Sequence, residues 1–353
     1  MTILTFKVVK VLIIATSSAL ISFLIAPFLI RLLNKWQFWK KEARKKTITG
    51  EEAKVFYSLH KDREIKIPRG GGLLIWTTCV FTLLLFLILG KIFNIEWLKN
   101  FNFLSRKETW LPLFTLVSAS LIGLADDILQ VFGKGTYIGG GLSFFRRMIM
   151  VILIGLIGGW WFYYKLGWDS IYIPFFGDIN LGIFYLFLFI IVMVASWAGG
   201  IVDGIDGLAG GVFMSIFGAF SIIAFSQSKI DLAAFGAAIL GSLFAFLWYN
   251  IPPAKFYMGE TGILGLTSTM TVFAFLTDSV AILPIIAGIL VIEVGSVILQ
   301  LLSKKFFKRK IWLATPIHHH LEAKGWPHYQ IAMRFWLIGI ILAFLGIAFR
   351  LSG

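Results

Sequence analysis

The 353-residue sequence is 58% hydrophobic and only 14% charged, with a mean hydropathy of +0.87. A water-soluble domain carries about a quarter charged residues, so this composition excludes a soluble globular protein and favours a chain that crosses a bilayer many times. The formal net charge is +14. Because the cations lie beside apolar runs, this charge indicates anchoring of membrane segments rather than binding to nucleic acid.

Apolar runs long enough to span a bilayer recur along the chain. The first resembles a signal peptide but is too long and lacks a cleavage site of small residues, so we predict a retained span. Ten spans are expected, at about residues 8–33, 71–89, 110–125, 148–166, 181–198, 208–226, 231–249, 262–278, 280–302 and 331–349. Helices are predicted throughout, because open strands would leave backbone groups unpaired in lipid. The expected fold is an all-α polytopic membrane protein with a single domain over residues 1–353.

Small residues in the seventh run predict close contacts between helices. They form two short groups, Gly236-Ala237-Ala238 and Gly241-Ser242.

The distribution of Lys and Arg predicts the orientation of the chain. Segments that follow odd-numbered spans, together with their flanks, hold 22 of these residues, and the segments on the other side hold nine. We therefore expect both termini outside the cell. The cytoplasmic loops would cover about residues 34–70, 126–147, 199–207, 250–261 and 303–330.

Acidic residues gather on the side predicted to be cytoplasmic. Asp126 and Asp127 follow the third span, Asp203 and Asp206 follow the fifth, and Glu260 follows the seventh. Adjacent carboxylates repel each other unless a cation or a shared proton relieves them, and residues three apart face the same way on a helical turn. The cluster predicts a site for a divalent cation or a phosphate group, and oxygen ligands favour Mg²⁺ or Mn²⁺ over zinc.

The five histidines all lie in the two long predicted cytoplasmic loops. His318, His319 and His320 are consecutive, and consecutive side chains of a helix or strand cannot all face one metal ion, which argues against a zinc site. We expect a loop in which each ring bonds a different phosphate or sugar group. The glycines beside Asp203 and Asp206 would permit a tight turn and a close approach of the backbone to a ligand.

Five ordered motifs carry a family resemblance over nearly the whole chain. At these motifs the chain resembles the polyprenyl-phosphate N-acetylhexosamine-1-phosphate transferases, and the last motif resembles the branch that handles muramoyl pentapeptides. The motifs are Ile67 to Gly72, Gly123 to Asp127, Val202 to Ala209, Trp248 to Gly262, and Pro316 to Glu322 with Arg334-Phe335-Trp336.

The resemblance implies a reaction and its partners. Phospho-MurNAc-pentapeptide would pass from UDP-MurNAc-pentapeptide to undecaprenyl phosphate, giving lipid I and UMP for peptidoglycan synthesis. The cofactor would be Mg²⁺, and the site would face the cytoplasm from a bacterial cell membrane. The family also implies ten helices and a homodimer.

The resemblance further assigns roles to single residues. Asp126 would be a base or a phosphate-orienting carboxylate with Asp127 beside it, and Glu260 would hold the metal together with Asp203. Three other groups of residues would meet substrate: His318, His319 and His320 at the diphosphate and muramoyl group; Asp203, Asp206, Asn250 and Tyr257 at the uridine diphosphate; and Lys61, Lys66 and Arg69 at phosphates.

Three positions depart from the family pattern. Glu260 stands where Asp is usual, Gly200 where Asn is usual, and Gln130 where Lys is usual. One extra methylene in Glu260 moves a metal-binding oxygen by roughly 1 Å, which is enough to change a rate substantially. We therefore expect activity from an altered site.

Three alternatives stay open. A transferase that uses UDP-GlcNAc would share most of the motifs, although the triple histidine speaks against it. A secondary transporter would place its charges near mid-membrane rather than at one boundary. An inactive scaffold would account for Glu260 and Gly200.

Overall fold

The computed structural model describes residues 2–41, 57–58, 65–106, 108–134 and 140–353. Helices dominate these residues. In chain order they are α1 (Ile3–Lys35), α2 (Gly72–Ile92), α3 (Glu96–Lys99), α4 (Trp110–Val131), α5 (Phe144–Trp160), α6 (Phe184–Ala198), α7 (Leu208–Ser226), α8 (Ile230–Asn250), α9 (Gly259–Leu276), α10 (Leu283–Ile286), α11 (Gly288–Phe307), α12 (Ile317–Ala323) and α13 (His328–Ser352).

Shorter elements complete the described chain. A π-helical turn, Trp161–Lys165, extends α5, and 3₁₀ turns cover Gly199–Val202 and Val280–Ile282. Strands β1 (Ser170–Ile173) and β2 (Gly177–Asn180) form an antiparallel hairpin in which Ser170 lies opposite Asn180.

Eight of the described helices are long and apolar enough to cross a membrane. A ninth crossing results if Val280–Ile286 and Gly288–Phe307, which meet at a bend of 80°, are counted as one span. The predicted all-α polytopic fold class is confirmed.

Helix α9 lies at the remaining predicted span, residues 262–278, but it is not among the helices that are apolar enough to count as a crossing. The described residues therefore give eight or nine crossings where ten were expected. Helix α9 is 18 residues long and buried at every position except Glu260. Because protein surrounds α9 on all sides, it does not need the continuous apolar surface that lipid requires, and Thr and Ser occupy many of its positions.

Helices α1 and α8 pack closely because small residues line their contact. A Cβ placed on Gly241 would lie 2.2 Å from the carbonyl oxygen of Ala15. The Ser18 hydroxyl donates to the carbonyl oxygen of Ala238 at 2.6 Å. Gly236 contacts α7 in the same way, since its Cβ would lie 2.2 Å from the hydroxyl of Ser221. The predicted close packing in the seventh span is confirmed.

Two glycines bring α2 and α4 against the first turn of α9. A Cβ on Gly72 would lie 2.1 Å from the amide nitrogen of Gly262, and a Cβ on Gly123 would lie 2.1 Å from the carbonyl oxygen of Glu260. Any larger side chain would separate these backbones. The ends of three helices therefore meet at one point.

Both chain termini lie at one end of the helix bundle. Lys10 pairs with Asp231 at 2.7 Å, near the start of α8, and the Tyr172 hydroxyl of the hairpin donates to the carbonyl oxygen of Gly353. Helix α8 runs 21 residues from this end to Asn250, a rise of about 30 Å. The predicted acidic site lies at the Asn250 end, opposite the termini. That the termini face outward stays a prediction.

Candidate active site

The acidic residues converge on the N-terminus of α9. Asp203 accepts a hydrogen bond from the N–H of Gly259 at 3.0 Å. Asp127 accepts from the N–H of Glu260 at 3.1 Å, from the N–H of Thr261 at 2.9 Å and from the Thr261 hydroxyl at 2.7 Å. The first N–H groups of a helix lack partners within it and carry partial positive charge. Two carboxylates from other parts of the chain therefore cap α9.

Asp127 is fully buried and joins three segments. It bonds α9 through both of its oxygens, belongs to α4, and lies 3.4 Å from Nε of Arg69, which precedes α2. The motif suggested catalysis for this residue. The contacts give it a structural task that the sequence analysis did not predict.

Asp126 and Glu260 share one cation. Asp126 accepts from the Gln130 amide at 2.8 Å and from the N–H of Leu142 at 2.5 Å. Nη1 of Arg147 lies 3.7 Å from Asp126 and 2.5 Å from Glu260. Arg147 thereby screens one carboxylate of α4 and one of α9.

From the sequence, Arg147 contributed only to the count of basic residues. One signal was available in the sequence: Arg147 directly precedes a predicted span on the side where the acidic residues gather. In the structure it lies in the first turn of α5 and is buried. Its partners lie 21 and 113 positions away along the chain, and no local pattern could connect them.

The contacts in the structure explain two departures from the family pattern. The neutral side chain at Gln130 donates a hydrogen bond to Asp126, and the cationic charge that the family supplies there comes from Arg147 instead. At Gly200 a Cβ would lie 2.2 Å from Cγ2 of Ile263. The space that an Asn side chain would enter is therefore filled from α9.

Asp203 and Asp206 do not face the same way, and this expectation was wrong. Residues 203–207 form turns rather than a helix. Asp203 reaches the start of α9, whereas Asp206 accepts from the N–H of Ala254 at 3.2 Å in the connection between α8 and α9. Asp206 therefore holds two loops together.

Burial raises the pKa of Asp203 to about 7, although the nearby Arg69 opposes this shift. One oxygen of Asp203 is bonded to Gly259, and the other accepts no hydrogen bond from the described part of the chain. A bound cation would stabilise the ionised form of this carboxylate.

Asn250 and Tyr257 lie in the connection that the family motif covers. The Asn250 side chain accepts from the N–H of Gly207 at 3.0 Å and donates to the carbonyl of Phe256 at 2.8 Å. Tyr257 is half-buried, and its backbone bonds Pro68 and Gly71, at 2.8 Å in each case. Asn250 therefore lies beside the turn that begins α7, and Tyr257 lies beside the segment that begins α2.

The predicted phosphate-binding cations are placed unequally. Arg69 is half-buried and contacts Asp127, while Lys66 is exposed on the segment that leads to it. Lys61 lies outside the described residues. Of the three, Arg69 alone has a described contact with the acidic cluster.

The three consecutive histidines lie on a short helix, α12, rather than in the expected loop. His318 and His319 are buried and His320 is half-buried. A Cβ on Gly204 would lie 2.1 Å from Nε2 of His318, so this glycine admits the histidine ring beside Asp203. From the sequence, Gly204 was expected to admit a ligand.

The oxygen ligands of the cluster suit a divalent cation that arrives with its substrate. Among the described residues, no group of three or more His, Cys, Asp or Glu side chains could hold a metal ion alone. Asp203 and Glu260 are close enough to repel each other electrostatically. Mg²⁺ typically binds one or two carboxylates plus substrate phosphates, so these two residues fit such an ion.

Comparisons with known proteins match nearly the whole chain. The family model described as Glycosyl transferase family 4 matches residues 109–278, a range that holds Asp126, Asp127, Asp203 and Glu260. A relative from a Geobacillus species is 32% identical over 335 residues, covering 94% of this chain and 94% of its own length. Relatives from Bacillus velezensis and Borrelia turicatae are 34% and 32% identical, each covering 93% of this chain and 94% and 92% of their own lengths. All three relatives are named phospho-N-acetylmuramoyl-pentapeptide-transferase.

Proposed function

The chain belongs to the phospho-N-acetylmuramoyl-pentapeptide transferase family, and from this premise we propose that it makes lipid I. An oxygen of undecaprenyl phosphate would attack the sugar-linked phosphorus of UDP-MurNAc-pentapeptide. The new P–O bond forms as the P–O bond to UMP breaks, and UMP leaves with the electron pair. The products are undecaprenyl-diphospho-MurNAc-pentapeptide and UMP.

The observation that carries the proposal is the convergence of carboxylates and arginines at the start of α9. Both reactants are anionic, so they approach only where positive charge screens them. Arg69, Arg147 and the partial positive charge of the helix N-terminus contribute positive charge. Because carboxylates already surround these groups, a bound divalent cation would supply the rest of the screening. Asp127 and Asp203 hold the helix N-terminus in place.

The lipid phosphate is already ionised near neutral pH, so its activation needs little proton transfer. The work of the protein is then to orient and to screen the reactants. Both oxygens of Asp126 are bonded within the protein, and the residue holds Arg147 beside Glu260. In this proposal Asp126 orients the guanidinium group of Arg147, which would contact the phosphate.

We further propose that Asp203 and Glu260 hold Mg²⁺. When bound, the ion would neutralise charge on the phosphate oxygens during transfer. Support comes from the chemistry of the two carboxylates, each of which keeps one oxygen that accepts no hydrogen bond from the described residues.

A cytoplasmic site in the bacterial cell membrane completes the proposal. It is supported by the excess of Lys and Arg in the segments at the acidic end of the chain. The homodimer implied by the resemblance stays a prediction.

A comparison of two nucleotide sugars tests the proposal. Purified protein in detergent with undecaprenyl phosphate is incubated with UDP-MurNAc-pentapeptide or with UDP-GlcNAc, and UMP is measured. We expect UMP from the muramoyl substrate alone. Release of UMP from UDP-GlcNAc alone would overturn the choice of substrate, and intact turnover in Asp126→Asn would contradict the placement of the site.

A further inference from the structure

Helix α11 carries a buried polar stripe along one face. Its members recur every three or four residues and are at most 7% exposed, although α11 is otherwise apolar as far as Ser303. They are Glu293, Ser296, Gln300 and Ser303.

The C-terminal part of this stripe holds the segment that leads to the histidine helix. The side-chain oxygen of Gln300, Oε1, accepts from the N–H of Ile311 at 2.8 Å and from the N–H of Trp312 at 3.1 Å. The Ser303 hydroxyl donates to the carbonyl of Arg309 at 2.9 Å. Residues 309–312 are therefore fastened to α11, and α12 is placed by the same surface.

Glu293 is the member that a purely structural role explains least. Its side chain is fully buried. One carboxylate oxygen lies 2.9 Å from Nδ1 of His318, and the other has no hydrogen-bond partner among the described residues. Burying a carboxylate with an unpaired oxygen is costly, and a glutamine would tie α11 to α12 without that cost.

His318 continues the same line of contacts toward the acidic site. Its ring is fully buried, Nδ1 faces Glu293, and Nε2 has no hydrogen-bond partner within the described part of the chain. Nε2 faces Gly204, the neighbour of Asp203. Buried polar atoms in folded proteins are nearly always paired, so an unpaired Nε2 at this place indicates that a partner arrives with the substrate.

In the two neighbouring histidines, Nδ1 also contacts another group of the protein. Nδ1 of His319 lies 2.5 Å from Glu322, which also contacts His328. Nδ1 of His320 accepts the N–H of Leu313 at 3.2 Å, so this ring is neutral with its hydrogen on Nε2.

We propose that Glu293 is a positioning residue for the transfer reaction, fixing His318 with a hydrogen on Nδ1 and with Nε2 toward the turn at Asp203. The inference rests on the proposed function. A carboxylate that accepts from Nδ1–H fixes the tautomer and the orientation of the ring. Nε2 is then held toward the place where a polar group of the nucleotide sugar would bind.

The variant Glu293→Gln tests the inference, because it keeps the shape of the side chain and removes its charge. We expect kcat for UMP release to fall about 10- to 100-fold, as for other residues that orient a functional histidine. KM should change less, and the melting temperature should stay close to that of the wild type, because the amide keeps the shape of the side chain and a hydrogen bond to the ring. The control is Ser296→Ala, which should keep wild-type turnover. Among the described residues, the Ser296 hydroxyl bonds only the backbone carbonyl of Glu293 on its own helix.

Nitrogen NMR of histidine-labelled protein gives a readout that needs no turnover. With His318→Gln used to assign the signal, His318 should carry a hydrogen on Nδ1 in the wild type and lose that preference in Glu293→Gln. An unchanged ring signal, or a kcat within twofold of wild type, would overturn the inference. If the wild-type protein released no UMP from the muramoyl substrate, the proposed function would fail, and the ring signal would still decide whether Glu293 positions His318.

Discussion

At the scale of single residues, two adjacent aspartates differ in their hydrogen-bond partners. Asp127 accepts from two backbone N–H groups and a hydroxyl of α9, whereas Asp126 accepts from a glutamine amide and one N–H before α5. The sequence places them side by side and gives no sign of this difference. Only the helix that meets each one distinguishes them.

The substitutions Asp127→Asn and Asp126→Asn should therefore have different effects. An amide at position 127 turns an N–H toward the donors of α9 and should cost about 1–3 kcal/mol of unfolding free energy. An amide at position 126 should leave the melting temperature nearly unchanged, because Gln130 can reverse its own amide, and should lower turnover. Thermal unfolding and UMP release measured on both variants check this, and equal melting temperatures for the two variants would refute it.

Glu260 and Arg147 should behave as one coupled pair. Each single substitution, Glu260→Gln or Arg147→Gln, removes their 2.5 Å contact, so the double variant should lose much less than the sum of the two losses. A coupling energy of about 1 kcal/mol or more is expected from kcat/KM. The exposed neighbour Arg146 supplies the matched control, and Arg146→Gln should retain wild-type kcat/KM. Strictly additive losses would exclude a direct interaction.

At the scale of elements, α9 organises the site because it is enclosed by other helices. Its amide groups receive two carboxylates, and glycines of α2 and α4 let it approach backbone to backbone. Residue type and periodicity predicted an apolar run here but not its enclosure. Enclosure depends on helices that precede α9 by more than a hundred residues.

Gly123→Ala tests whether the close approach of α4 to the first turn of α9 is needed. Its Cβ would lie 2.1 Å from the carbonyl oxygen of Glu260, and backbone atoms cannot yield as a flexible side chain can. Overpacking of this kind costs about 1–3 kcal/mol, and turnover should fall because the first turn of α9 is displaced. Gly218→Ala in α7 is the control, since its Cβ meets nothing within 4 Å. Equal melting temperatures and turnover in the two variants would show that the close approach is unimportant.

The motifs and most of the spans could be predicted from the sequence, but the contacts between them in the fold could not. The acidic residues met at one end of the bundle, as their positions after odd-numbered spans indicated. The pairing of Glu293 with His318 was missed, although a lone carboxylate within an apolar run is itself a functional signal. The helix under the histidines was also missed, because its seven residues are too few to show a period.

At the scale of the whole molecule, the structure sets both termini and the hairpin opposite the acidic end. The charge distribution then predicts which end faces the cytoplasm. Cys79 is buried and should not react with a membrane-impermeant maleimide, so introduced cysteines can report the sidedness.

Exposed lysines at the two ends supply the test of orientation. Lys99 lies on α3 at the end that holds the termini, and Lys255 lies between α8 and α9 at the acidic end. In intact cells Lys99→Cys should react with the impermeant reagent, and Lys255→Cys should react only after the membrane is opened. The reverse pattern would invert the predicted topology.

The central claim is that carboxylates at the start of α9 form the transferase site. The most direct measurement is UMP release from UDP-MurNAc-pentapeptide and undecaprenyl phosphate by wild-type protein and Asp203→Asn while Mg²⁺ is titrated. We predict that chelation abolishes wild-type turnover, and that Asp203→Asn needs more Mg²⁺ and stays at least about 100-fold slower at saturation. Wild-type turnover in chelator, or an Asp203→Asn titration that overlays the wild-type curve, would contradict the account.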